Sequence, residues 1–404
     1  MEAKRERYTP NDVGPIPNDW SAPKLSDVST LITNGFVGAA SPHYTDSSGI
    51  PYLFGKNVRP NRIDPEGIRY ITNSFHEKQS KTKLETGDLL TVQSGHIGET
   101  AVVPSTLSGA NCHALIVTRL LNERVLPMFM SYYLNSEIGR ARMAGLEVGS
   151  TILHINTKDL KKFRVIVPPV GEQKKIAQIL STWDKAITTT EQLLAKSQQQ
   201  KKALMQQLLT GKKRLLDENG VRFSGEWKDT LLGELATITT GSSNRQDSHL
   251  TGQYTFFDRS VDVRTSDRYL FDAEAIIVPG EGQQFTPKYF TGKFDLHQRT
   301  YAIMDFPSCS GKFLYYYLSH YKQYLLSQAV GSTVKSLRLP MFKKMKLSIP
   351  PMDEQCKITK VLSNSDSRCE SLKIKLEHLK REKKALMQQL LTGKRRVKID
   401  EDAA

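Results

Sequence analysis

The sequence predicts an α+β protein built twice over. Two globular α+β domains are each followed by a long helix, and the two helices form an antiparallel coiled coil within a pseudo-two-fold internal repeat. Three observations predict this. Residues 201–212 (KKALMQQLLTGK) return unchanged as residues 383–394, an offset of 182. Upstream, Val148-Gly149-Ser150-Thr151 returns as Val330-Gly331-Ser332-Thr333, Pro168-Pro169 as Pro350-Pro351, and Glu172-Gln173 as Glu354-Gln355. One constant offset across 65 residues marks two copies of a unit, too few for a solenoid. Third, each copy carries a seven-residue apolar repeat, the signature of a helix lying along another helix.

Composition sets the outer bounds. A chain of 404 residues is long enough for two or three domains with real cores. A mean hydropathy of −0.43 and the lack of any 18-residue apolar run predict no membrane span. The charged start MEAKRERYTP lacks an apolar core and predicts no secretory signal. Cys112, Cys309, Cys356 and Cys369 form no CxxC pair or zinc spacing and are expected as cytosolic free thiols. The net charge of +15 points to a polyanionic partner, most often nucleic acid.

The domain starts also repeat. Residues 1–11 are polar and expected to be loosely held. Ile32-Thr33-Asn34-Gly35 then matches Ile238-Thr239-Thr240-Gly241 at an offset of 206. The first domain is therefore about 25 residues longer, from the difference of the two offsets. Within it, residues 52–54, 89–92, 100–103 and 114–117 read as strands, and residues 127–136 (PMFMSYYLNS) as an aromatic helix. In the second domain, residues 275–278 and 300–303 read as strands and residues 313–319 as the matching helix.

The double prolines suit the approach to a helix, and Glu172 falls where first-turn amides favour negative charge. No Gly or Pro follows until Gly211, placed as a C-terminal cap. At 1.5 Å per residue such a helix is about 55 Å long. Its seam comprises Ile176, Leu180, Trp183, Ile187, Thr190, Leu194, Ser197, Lys201, Leu204 and Leu208. The second seam comprises Ile358, Leu362, Ser365, Cys369, Leu372, Leu376, Leu379, Lys383, Leu386 and Leu390. The first weakens from Thr190 to Lys201 and the second at Ser365 and Cys369. Antiparallel pairing is expected to set weak stretches against strong ones. Gln198–Gln200 and Gln206-Gln207 fall mostly off the seam. The helices are expected to hold the two domains apart. The resulting segments are residues 1–167, 168–212, 213–349, 350–394 and a 395–404 tail.

Catalytic signatures are absent from the sequence. Gly211-Lys212-Lys213, Gly292-Lys293-Phe294 and Gly311-Lys312-Phe313 lack the hydroxyl of a phosphate-binding loop, and no HExxH or GxSxG occurs. The double prolines lack the Asn/Asp and aromatic neighbours of an amino-methyltransferase motif. Glu382-Lys383-Lys384 lies inside the helix and reads as a solvated charge cluster. Cys112-His113 reads as a packed pair, since no ligand or triad spacing surrounds it. The rings of Tyr132-Tyr133 and residues 315–317 read as core at helical spacing.

Basic and polar loops supply the candidate contacts to DNA. They are Lys56, Asn57, Arg59, Arg62, Arg69, Lys81, Gln93, Ser94 and His96 in the first domain. In the second they are Ser243, Asn244, Arg245, Arg259, Arg264, Gln283, Gln284, Gln298 and Arg299. Arg, Asn, Gln and His can read base edges in the major groove, whereas Lys and Arg also bind phosphate.

The pattern resembles the specificity subunit of type I restriction–modification enzymes over nearly the whole chain. The resemblance rests on two divergent domains alternating with two near-identical helices. Its local phrases are Ile50-Pro51-Tyr52-Leu53 before Lys56-Asn57-Val58, Gly87-Asp88-Leu89-Leu90, Ser94-Gly95-His96-Ile97-Gly98, the PP-x-x-E-Q helix starts and LMQQLLTGK. It implies that residues 1–167 and 213–349 are target-recognition domains, each reading half of a bipartite site in double-stranded DNA. The helices would set the gap and dock two copies of a methylation subunit. Ile176, Leu180, Trp183, Leu194, Leu204, Leu208, Ile358, Leu362, Leu376, Leu386 and Leu390 would serve pairing and docking. Restriction (translocase–nuclease) subunits would join. The chain itself would hold no cofactor, metal or active site; S-adenosylmethionine, ATP and magnesium would belong to partners. The setting implied is the cytoplasm of a bacterium or archaeon. Two other readings stay open: a recognition subunit for a fused methyltransferase–nuclease partner, and a coiled-coil interaction protein without a DNA role.

Overall fold

The computed structural model describes residues 8–9, 13–146 and 154–399. The first V-G-S-T copy at 148–151 lies outside them, as do most of residues 1–11 and the end of the tail. The chain forms two compact units, residues 1–190 with 375–404, and residues 191–374. Each unit therefore contains one globular domain, part of the helix that follows it and part of the other helix.

The first unit carries two four-stranded sheets. One runs in the order Thr100–Val102, Leu89–Val92, Leu115–Leu120, Ser29–Asn34, all antiparallel. Leu89–Val92 is buried at every residue, and its one polar side chain, Thr91, is paired with the Thr100 hydroxyl at 3.0 Å. The other sheet orders Asn111–Cys112, Ile50–Leu53, Arg69–Ile71 and Tyr44–Thr45, with a parallel first pair. The aromatic helix, Pro127–Asn135, buries Phe129, Tyr132 and Tyr133 in the core.

The second unit folds around one six-stranded sheet in the order Thr237–Thr240, Thr300–Met304, Phe271–Pro279, Lys288–Leu296, Tyr254–Phe257, Arg264–Ser266. Only the Tyr254–Phe257 and Lys288–Leu296 pair is parallel. Its aromatic helix, Gly311–His320, buries Phe313, Tyr316 and Tyr317.

The repeated glycine at each domain start has a steric cause. A Cβ on Gly35 would stand 2.7 Å from the Cys112 carbonyl oxygen, and one on Gly241 would collide with that of Leu296. The close approach admits parallel bridges from Phe36 to His113 and from Ser243 to His297. His113 is packed as expected. Its ring lies against Phe36, Tyr52 and Phe54, and Nδ1 is 3.3 Å from the Tyr52 hydroxyl. Burial pushes the neighbouring Cys112 thiol up to about 12, far from a thiolate nucleophile.

The long helices are Val170–Leu208 and Met352–Leu390, 39 residues each. Each starts directly after its double proline. The first ends at Leu208, three residues before Gly211, whose φ of 70° supplies the left-handed turn expected of it. The repeated Glu-Gln start has a mechanism in both units. Gln173 accepts the Leu126 amide at 2.8 Å and donates to the Pro168 carbonyl at 2.8 Å. Gln355 accepts the Ser310 amide and donates to Pro350, both at 2.9 Å. Each buried amide thus ties a helix start to the backbone at the start of the preceding aromatic helix. Glu172 is not merely complementing first-turn amides. It is buried and takes Arg396 Nε at 2.8 Å, while Glu354 takes Arg214 Nε and Nη2 at 2.6 Å each.

Every seam residue predicted above is buried or half-buried. In the first unit Ile176 and Leu180 pack with Leu386 and Leu390; in the second Leu204 and Leu208 pack with Ile358 and Leu362. One expectation fails. The weak stretches do not face strong ones; they face each other. Cys369 Sγ lies 3.6 Å from Ser197 Oγ, and Lys201 pairs with Asp366. Polar groups on a seam lose water, so meeting one another costs less than facing leucines.

Candidate nucleic-acid interface

Four loops of the second domain, which follow strands of the six-stranded sheet, are joined to one another by hydrogen bonds and ion pairs. Ser243, Asn244 and Arg245 follow Thr237–Thr240. Asp258, Arg259 and Ser260 follow Tyr254–Phe257. Pro279, Gly280 and Glu281 close Phe271–Pro279, and His297, Gln298 and Arg299 follow Lys288–Leu296. The Ser243–His297 bridge and a 2.7 Å bond from Gln298 Nε2 to Asn244 Oδ1 join two loops. A 2.9 Å bond from the Gly280 amide to the Arg299 carbonyl joins the third. Glu281 joins the fourth by accepting from Arg259 and Arg299 together.

Local electrostatics order this surface. Burial raises the Asp258 carboxyl, but bonds from the Ser260 hydroxyl and amide outweigh it and leave it below its usual range. Burial lowers the Lys288 ammonium, whose Nζ donates to the Ser260 carbonyl at 2.7 Å. Burial also lowers His297. Its Nδ1 accepts the Arg299 amide at 3.0 Å, which puts the proton of the neutral ring on Nε2. Asn244, Arg245, Gln283, Gln284 and Gln298 are exposed, as are Arg259 and Arg299, so these loops are rich in exposed donors.

Two predicted contacts are corrected by burial. Ser243 is fully buried: Oγ donates to Asp295 Oδ1 at 2.5 Å and accepts from Arg268 Nη2 at 2.8 Å. Asn57 is also fully buried. Its Oδ1 accepts the Phe54 amide at 3.0 Å, and Nδ2 donates to the Asp64 and Glu66 carbonyls. Both side chains are spent on loop geometry and present nothing to a ligand. Arg264 is half-buried in its strand and donates to the Ser248 carbonyl.

The first-domain candidates are more dispersed. Arg59 and Arg62 are cross-strand neighbours in a short hairpin. Arg69 lies on the second sheet with its guanidinium 4.8 Å over the Tyr44 ring. Lys56 and Lys81 are exposed on separate short helical turns. Ser94 and His96 project from the turn between Leu89–Val92 and Thr100–Val102, and Gln93 beside them is half-buried. Sequence reasoning missed Glu281, Lys288 and Arg268. An acidic residue between two glycines carries no signal until the fold brings the arginines to it.

Among the described residues, no helix is long and apolar enough to cross a membrane. The type I restriction modification DNA specificity domain matches the chain twice, at residues 17–198 and 224–381. The chain is 26% identical, over 98% of both chains, to a Methanocaldococcus jannaschii protein named for the type I restriction enzyme MjaX specificity subunit. It is 31% identical over 41% of its length to the EcoDI specificity subunit of Escherichia coli, covering 37% of that protein. Its fold is similar to the crystal structure of a type I restriction–modification S subunit from M. genitalium. There the TM-score is 0.63 at 16% identity, covering 92% of this chain and 96% of the other. The chain belongs to the type I restriction modification DNA specificity family, whose members recognise DNA and carry no catalytic activity of their own.

Proposed function

We propose that this chain selects the DNA target of a type I restriction–modification complex, each domain reading one half of a bipartite sequence. The observation that carries this is the double family match on a repeated frame whose two domains differ in sequence. Residues 1–167 and 213–349 are the readers, residues 168–212 and 350–394 the spacers, and 395–404 the tail. The working assembly contains DNA with methylation and restriction subunits. Two methylation subunits, bringing S-adenosylmethionine, dock on the two repeats, because a repeated surface binds one partner twice. The restriction subunits bring ATP and magnesium chemistry. The setting is the cytoplasm of a bacterial or archaeal host.

Single-molecule methylome sequencing of host DNA, with and without this gene, tests the reading. A bipartite methyladenine motif that vanishes on deletion is expected. Exchanging residues 213–349 for those of a relative changes one half only. A four-residue insertion after Gln207 widens the gap and leaves both halves unchanged, since each spacer residue adds about 1.5 Å. An insertion that alters the half-sites but not the gap refutes the spacer role.

A further inference from the structure

The reading above leaves open which residues discriminate bases, and the second domain carries a feature that narrows it. Glu281 accepts from Arg299 Nη1 at 3.1 and 3.0 Å on its two oxygens and from Arg259 Nη1 at 3.2 Å. The carboxylate is mostly covered, at 20% side-chain exposure, whereas Arg259 and Arg299 are 53% and 59% exposed. Each arginine spends only Nη1 on the carboxylate. Among the described residues, Nε and Nη2 of both carry no other bond.

The carboxylate is itself fixed by backbone. Glu281 pairs with Ser336 in a two-stranded ladder. Gly280 next to it donates to the Arg299 carbonyl at 2.9 Å and accepts the Leu337 amide at 2.8 Å. A Cβ on Gly280 would stand 2.6 Å from the Arg299 carbonyl oxygen, so glycine is what lets the loops meet. An isolated surface ion pair contributes little to stability. Here one carboxylate serves two guanidiniums, which leaves a net positive charge on two side chains that are each more than half exposed. Such contacts matter more for holding a planar fork in place before its ligand arrives than for stability.

We propose that Glu281 is a positioning residue that holds Arg259 and Arg299 as a paired reader of guanine in the half-site of the second domain. Guanine presents O6 and N7, two acceptors at the spacing of one guanidinium edge, and this is the commonest specific contact of arginine in the major groove. The proposal rests on the DNA-recognition reading above.

The test uses the full chain assembled with its methylation subunits. Methylome sequencing compares wild type with Glu281→Gln, Arg299→Lys and Arg299→Ala. Lysine keeps the charge and loses the fork. Arg299→Lys and Glu281→Gln are both expected to relax the motif at the same G·C position, about ten-fold or more, while the other positions and the melting temperature hold. A binding assay on duplexes carrying 7-deazaguanine at that position removes only N7. It is expected to weaken wild type and leave Arg299→Lys little changed. A motif kept intact by Arg299→Lys, with a uniform fall in methylation for Arg299→Ala, means phosphate anchoring and overturns the proposal. Relaxation in Glu281→Gln without sensitivity to 7-deazaguanine means that Glu281 reads the base itself and also overturns it. A wild type with no bipartite motif overturns the underlying recognition reading instead.

Discussion

Lys383 Nζ lies 2.5 Å from Asp184 Oδ1, and the repeat copies the contact with its partners exchanged, as Lys201 with Asp366. Each aspartate also accepts a buried tyrosine hydroxyl at 2.6 Å, from Tyr132 and Tyr316. Each lysine lies over the ring of the same tyrosine. The identical KKALMQQLLTGK phrase thus places one polar triad in each unit, where the heptad calls for an apolar residue. Such a layer can specify register at some cost in stability.

Lys383→Ala leaves Asp184 with one partner fewer on a partly covered seam. A loss of about 1–2 kcal/mol is expected, the worth of a hydrogen bond to a charged group discounted because the Asp184 carboxylate is 36% exposed. Chemical denaturation measures it. In a double-mutant cycle, Lys383→Ala with Asp184→Ala loses less than the sum of the single changes.

Arg396 closes the first unit by binding buried Glu172 and exposed Asp19, and Arg214 serves Glu354 in the second. Removing Arg396 takes the cation from a carboxylate at 2% exposure and leaves it the long 3.4 Å bond from Trp20 Nε1. Arg396→Ala is expected to cost about 2–3 kcal/mol, discounted from the fully buried case because the guanidinium is partly exposed. The bond from Arg396, its largest influence, holds the Asp19 carboxyl below its usual range. A depressed folded pKa adds stability above the unfolded value, and that stability is lost as pH falls through the folded one. Acid titration of unfolding should therefore show a shallower fall below about pH 4 for Arg396→Ala than for wild type.

The seams and the paired tyrosines were legible because their cause is local. Seven-residue spacing fixes which side of a helix is covered, whatever it packs against. The glycines at 35 and 241 were visible as repeats, but their reason was not, since the close strand lies far along the chain at Cys112 and Leu296. The long strand Lys288–Leu296 escaped detection because a glycine and three charged residues interrupt its pattern. Asn57 and Ser243 failed for the opposite reason to Glu281. They are polar loop residues with the right donors, yet the loops turn them inward, while Glu281 gains its role only from two arginines on other loops.

Asn57 is therefore a stability residue. Asn57→Ala leaves the Phe54 amide and the Asp64 and Glu66 carbonyls without their partner, at an expected cost of about 1–3 kcal/mol. Thermal melting reads the loss. The methylation motif of the surviving complex should be unchanged, whereas a true base reader would relax it.

The repeated helix-end glycine offers a test of equal sequence in unequal surroundings. Gly211 and Gly393 have φ of 70° and 71°, which a side chain tolerates poorly. A Cβ on Gly211 meets only the Trp227 ring, at 3.4 Å, an ordinary contact. A Cβ on Gly393 collides with Pro17 Cγ and stands 2.6 Å from its Cδ, and a proline ring cannot swing aside. Gly211→Ala is expected to cost about 1 kcal/mol, the left-handed penalty alone. Gly393→Ala adds overpacking to that penalty, for a total of about 2–4 kcal/mol. Equal denaturation midpoints for the two variants would contradict this packing at Pro17, because the twelve residues ending in Lys212 and Lys394 are identical.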